Sequence, residues 1–164
     1  MNIINIGIGE LVVNKAPFIL ETRGLGSCVG VTFYDKKNKI GALAHIMLPN
    51  VSCNVEDLES DNGRFRYAEY ALPYMLNKML AMGGNKNDIV AKIVGGASMF
   101  KRKSGNLNIG EQNVFAVKKF LKENSIKLQA EEVGGDIGRT IFFNLNDGSI
   151  IMKIYGKVKQ EIEL

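Results

Sequence analysis

The stretch GLGSCVGVTFYDKKNKIGALAHIMLP, residues 24–49, decides how the chain is read. Two apolar runs, Val29 to Asp35 and Ile40 to Ile46, meet across the polar link Tyr34-Asp35-Lys36-Lys37-Asn38-Lys39. Paired as a hairpin, the start of the first run lies opposite the end of the second. Cys28 opens the first run, and His45, the only histidine, closes the second. Strand pairing therefore brings a thiol and an imidazole to one end of a sheet.

That pairing suits nucleophilic chemistry. Gly24 and Gly26 let the backbone turn tightly and approach a substrate closely. Backbone N–H groups around Gly26, Ser27 and Cys28 are candidate oxyanion donors. An ordinary thiol, pKa about 8.5, is only a few per cent ionised at neutral pH. An adjacent imidazolium would favour the thiolate, and a downward shift of about two units corresponds to about 2.7 kcal/mol. A free cysteine also serves as a small buried hydrophobe, and a lone histidine as a satisfied core residue. The residue types alone leave both readings open.

Outward from this hairpin, the segments GLGSCVGV, GALAHIMLP, AKIVGGASMF, LNIGEQN and AEEVGGDIGRTI follow in order and resemble the CheD family of chemoreceptor glutamine deamidases. The resemblance runs from about Ile6 to the final strand. It implies a catalytic Cys, His and Thr, matching Cys28, His45 and Thr22, and hydrolysis of glutamine side-chain amides through a thioester. It implies as partners the cytoplasmic helices of methyl-accepting receptors and a CheC-type phosphatase. Phe100, beside the basic run Lys101-Arg102-Lys103, is the candidate anchor for that phosphatase. Two other classes compete: another thiol hydrolase or transglutaminase, and a non-catalytic regulatory binding module.

The rest of the chain reads as scaffold. At 164 residues, 46% apolar and 23% charged, the expectation is a single domain over residues 1–164. The net charge of +4 comes from 21 basic and 17 acidic residues, interspersed. No basic stripe with interleaved aromatics stands out, which argues against nucleic acid. No leader of basic residues before an apolar core opens the sequence, and no run is long enough to insert in a membrane. A cytoplasmic protein with reduced cysteines is expected, with Cys53 a bystander. Two cysteines and one histidine do not make an ordinary zinc site, so neither a metal nor a cofactor is expected.

Ile3 to Val13 reads as one bent strand or two short ones, and Phe18 to Thr22 as a strand leading to the cysteine loop. Asn50 to Gly63 is a polar loop that could rim the site. Tyr67, Tyr70, Ala71, Tyr74, Met75, Met79 and Met82 recur at helical spacing over Arg66 to Met82, ended by Gly83-Gly84. Pro73 should bend that helix or mark a restart. Asn108 can cap a second helix running to about Glu123, with Glu111 reaching back. Its buried stripe is Val114, Val117, Phe120 and Leu121. Strands are expected over Asp88 to Val94, Lys127 to Val133, Thr140 to Asn144 and Ser149 to Tyr155, the last two joined at Asn146-Asp147-Gly148. Residues 156–164 should fray. The fold class expected is α+β, a mixed β-sandwich with helices packed on the outside.

Overall fold

The computed structural model describes residues 2–51, 61–98, 108–154 and 160–164. The central hairpin forms as its pattern demands: β4 (Val29–Asp35) pairs antiparallel with β5 (Ile40–Ile46), from Val29 opposite Ile46 to Asp35 opposite Ile40. Every residue of both strands is buried. Strands with both faces covered read as near-continuous apolar runs rather than as alternation.

Two sheets result. One has the order β2-β5-β4-β6-β7, with β2 (Leu11–Lys15), β6 (Ile89–Gly95) and β7 (Lys127–Val133). The other has the order β1-β3-β8-β9-β10, with β1 (Ile3–Ile6), β3 (Ile19–Leu25), β8 (Arg139–Asn144), β9 (Ile150–Ile154) and β10 (Gln160–Glu163). Ile3 to Val13 is thus two strands, one in each sheet. A short helix α1 (Asp61–Arg64) precedes α2 (Ala68–Ala81), and α3 (Ile109–Glu123) follows β6.

Alternation along β4 and β5 builds two cores. On one face, Val29, Val31, Phe33, Ala42, Ala44 and Ile46 pack against Leu72, Met75 and Met79 of α2 and Val117 and Leu121 of α3. Phe33 stacks on Phe120, with ring centroids 6.3 Å apart. On the other face, Tyr34 and Leu43 meet Leu20, Ile141, Phe143 and Met152 of the second sheet. Each fully buried side chain of this size contributes about 1.5–3 kcal/mol relative to exposure. The two sheets press close at Gly41, where an added Cβ would lie 2.4 Å from the Leu145 side chain. The fold is α+β, a mixed sandwich with helices outside, and both long helices lie over the same sheet.

Two local expectations are corrected. The charged end does not fray throughout: Gln160–Glu163 extends the sheet as β10, and Ile150 and Leu164 exchange backbone hydrogen bonds of 3.0 and 2.8 Å. Strand pairing supplies the partners that a charged, turnless tail lacks by itself. Of the two readings of Pro73, the restart is excluded, because α2 runs continuously through it. Pro73 is the sixth residue of α2 and lacks an N–H, so the helix goes without the one bond that would run from it to the Glu69 carbonyl.

Gly24 to Cys28 is the crossover between the sheets. The β3–β8 register breaks between Thr22 and Leu25, and Gly24 takes a positive φ of 71° there. A residue with a Cβ is strained in that conformation. The chain thereby leaves one sheet at Leu25 and enters the other at Val29, with Cys28 at the last step.

Candidate active site

Thr22, Cys28 and His45 come from three elements and converge at one end of the sandwich. Thr22 is on β3 of one sheet, His45 on β5 of the other, and Cys28 on the crossover. Gly30, two residues after Cys28, lies directly opposite His45. It places no side chain between the two. Cys28 packs against the inter-sheet core, the same layer that holds Leu43, two residues before His45. Thr22 and His45 are fully buried, and Cys28 is partly exposed.

The hydrogen bonds set the tautomer of the imidazole. Thr22 Oγ1 donates to the Ile6 carbonyl at 2.7 Å and lies 2.7 Å from His45 Nδ1. A hydroxyl has one proton, and it is committed to Ile6. The Thr22 oxygen therefore accepts from His45, and Nδ1 carries the hydrogen. The lone pair of the neutral ring is on Nε2, which is buried and has no hydrogen-bond partner among the described residues. The arrangement presents a base nitrogen, oriented from behind, within the layer where the thiol sits.

The resting charge state differs from the one expected. Burial lowers the His45 pKa from 6.5 to about 4 and pushes the Cys28 thiol above its ordinary value. Near neutral pH the unliganded site holds a neutral thiol and a neutral imidazole, not an ion pair. Desolvation disfavours both charged forms, and no hydrogen bond links Cys28 to Nε2. A site of this kind can act by general-base proton transfer during attack, with charge forming only once a substrate is bound.

The cysteine loop is pinned from several sides. Ala97 N donates to Gly26 O at 2.8 Å, and Gly96 N donates to Cys28 O at 2.8 Å. Arg139 Nη1 donates to Gly134 O at 2.9 Å, and Gly134 N to Gly95 O at 3.0 Å, so the second glycine-rich turn braces the corner that holds Cys28. Gly26 itself is engaged: its N–H donates to Gly24 O at 3.0 Å. Of the candidate oxyanion donors, Ser27 and Cys28 retain amides that no turn bond occupies among the described residues. Phe100 and Cys53 lie outside the described residues.

Sequence reasoning missed Asn113. It is completely buried on α3, and its Nδ2 donates to Ser27 O at 3.0 Å and Met47 O at 2.9 Å. A signal was present: Asn113 falls between Gly110 and Val117 on the buried face of α3, where a polar residue needs a partner. Among the described residues, no three His, Cys, Asp or Glu side chains cluster as a metal site would require. None of the described helices is long and apolar enough to cross a membrane.

The fold and the site together define an α+β protein with a threonine-oriented histidine near a partly exposed thiol. The family model described as CheD chemotactic sensory transduction matches residues 47–154, and the chain belongs to the CheD family. The protein named Probable chemoreceptor glutamine deamidase CheD in Clostridium acetobutylicum is 41% identical over 155 residues, covering 93% of this chain and 91% of its own. Proteins of the same name in Methanococcus maripaludis strain C6 and Caldanaerobacter subterraneus subsp. tengcongensis are 39% and 40% identical. They cover 96% and 94% of this chain, and the alignments span 98% and 94% of their own lengths.

Proposed function

We propose that this protein hydrolyses glutamine side-chain amides on chemotaxis receptors, with Cys28 as nucleophile, His45 as proton carrier and Thr22 as the residue that orients the ring. The observation that carries this reading is the Ile6–Thr22–His45 relay, which leaves Nε2 with a free lone pair in the layer that holds Cys28. The relatives named as probable chemoreceptor glutamine deamidases support the substrate class.

In the proposed reaction, the thiol proton passes to Nε2 as sulfur attacks the amide carbon. The carbonyl oxygen takes up the electron pair and is held by the amides of Ser27 and Cys28. Imidazolium gives its proton to the departing nitrogen, so ammonia leaves and a thioester remains. Nε2 then accepts a proton from water as hydroxide adds to the thioester carbon. Collapse expels the cysteine sulfur, which recovers that proton, and leaves glutamate. Thr22 accepts from Nδ1 throughout and holds the ring in place, much as the acid of other triads does. Lacking a full charge, it stabilises imidazolium less than a carboxylate would. Each turnover adds one negative charge to the receptor.

A cytoplasmic site of action and competition by a CheC-type phosphatase, with Phe100 as its anchor, belong to the same reading. Binding of that phosphatase should weaken in Phe100→Glu without loss of fold. The central experiment incubates the full chain with a receptor cytoplasmic fragment and follows ammonia release and the mass gain, about one dalton per site. Cys28→Ala should lose activity by at least about a thousandfold. Full activity in that variant refutes the thiol mechanism. Incorporation of an added primary amine in place of simple hydrolysis would assign a transglutaminase instead.

A further inference from the structure

The antiparallel ladder between β4 and β5 ends at the Val29–Ile46 rung, and the chains then part. Met47 and Leu48 turn their N–H groups to Arg66 O, at 2.9 and 3.1 Å. Two carbonyls, those of Ser27 and Met47, are left at the mouth of the fork. One belongs to the residue before the thiol, the other to the second residue after the imidazole. Both are met by the same nitrogen, Asn113 Nδ2.

The assignment of that amide is chemically determined. Reversed, it would direct its oxygen at two carbonyl oxygens. With Nδ2 so engaged, Oδ1 is buried without a partner among the described residues. An asparagine on the apolar face of a helix, with one end of its amide unsatisfied, is poor design for stability alone.

The geometry points to Asn113 as a positioning residue for the reaction, an inference that rests on the thiol reading above. It acts in two ways. Replacing the missing rung, it sets the spacing between the chain bearing Cys28 and the chain bearing His45. It also orients the Ser27–Cys28 peptide. In a trans peptide the C=O and the N–H project to opposite sides. Holding Ser27 O on the α3 side directs the Cys28 N–H to the opposite side, as a donor for the oxyanion. The neighbouring carbonyls, Gly26 O and Cys28 O, are held by Ala97 N and Gly96 N, so Asn113 completes a run of three restrained peptides.

The test compares the wild-type full chain with Asn113→Ala, Asn113→Asp and Val117→Ala, using ammonia release from a receptor cytoplasmic fragment. Val117 is one turn further along α3, fully buried in the helix–sheet core, and controls for plain loss of stability. Asn113→Ala should lower kcat by about ten- to a hundredfold with KM within about threefold, because the lost geometry matters most in the transition state. Val117→Ala, equally folded by circular dichroism, should keep wild-type kcat within about twofold. Asn113→Asp loses both donors as a carboxylate and regains one when protonated. Burial against two carbonyl oxygens raises that carboxyl well above its ordinary range, so the variant's kcat relative to wild type should rise at least about threefold as pH falls from about 8 to about 6. The inference is overturned if Asn113→Ala retains wild-type kcat, if Val117→Ala falls as far, or if the relative kcat of Asn113→Asp is flat with pH. Activity persisting in Cys28→Ala would instead refute the thiol reading, so the two failures are distinct.

Discussion

Lowering the pH from neutral towards 4 isolates one group, because His45 is the only histidine in the chain. Its pKa falls from 6.5 to about 4 in the folded protein, through burial between the sheets. Between those values the unfolded chain binds a proton that the native state does not, so stability drops as pH falls through this window. The span corresponds to about 3 kcal/mol at about 1.4 kcal/mol per unit, fully present above pH 6.5 and lost by about pH 4. The measurement is urea denaturation of wild type and His45→Gln at closely spaced pH values and constant ionic strength. Both chains keep the same carboxylates, so their contribution cancels in the difference. The stability of wild type relative to the variant should decline by about 3 kcal/mol over this range. A direct check follows the imidazole Cε1–H resonance, which should titrate near 4. A midpoint near 6.5, or parallel pH curves for the two chains, would refute both the buried neutral ring and the proton-transfer scheme built on it.

Thr22→Val leaves the Nδ1–H and the Ile6 carbonyl unpaired in the interior, at about 1–3 kcal/mol each. Deamidation kcat should fall about ten- to a hundredfold, less than for Cys28→Ala, and Thr22→Ser should recover to within about threefold. Equal damage from the serine variant would show that the hydroxyl is not what matters. In a Cys53→Ser background, iodoacetamide modification of Cys28 should be slow at about pH 7 and climb through the alkaline range, because burial holds the thiol neutral. A rate already at plateau at neutral pH would indicate a resting thiolate. Gly110→Ala places a methyl 2.5 Å from Ala97 O and 2.6 Å from Gly96 O, forcing α3 off the corner that supports Cys28. It should lower the urea-derived stability by about 1–3 kcal/mol, whereas Gly138→Ala, with open space around its Cβ, should change it little. Equal effects at the two positions would contradict the close packing of α3 on that corner.

The hairpin was legible because its signal is local. Two apolar runs and a polar link determine a register, and the register brings Cys28 and His45 to one end. The cap of α3 was equally legible, since Asn108 and Glu111 are three residues apart and bond reciprocally. β10 was not: Gln160, Glu161 and Glu163 leave Ile162 as its one apolar residue, and the strand's order comes from pairing with the edge of β9. Asn113 was passed over because helical spacing identifies a face but does not say which carbonyls a distant strand presents to it.

Residue chemistry and spacing by themselves determined the β-rich α+β class, the family, and the three side chains proposed to act. Those properties reside in short patterns, and such patterns survive without knowledge of what packs on them. Charge state, tautomer and clamp were decided only by the tertiary structure. The Nδ1–H form of His45 depends on where Thr22 sends its single proton, and that is Ile6, 16 residues away on a neighbouring strand. The neutral thiol and imidazole arise from water excluded by two sheets at once. Desolvation is a property of everything around a group, and a linear pattern carries no measure of it.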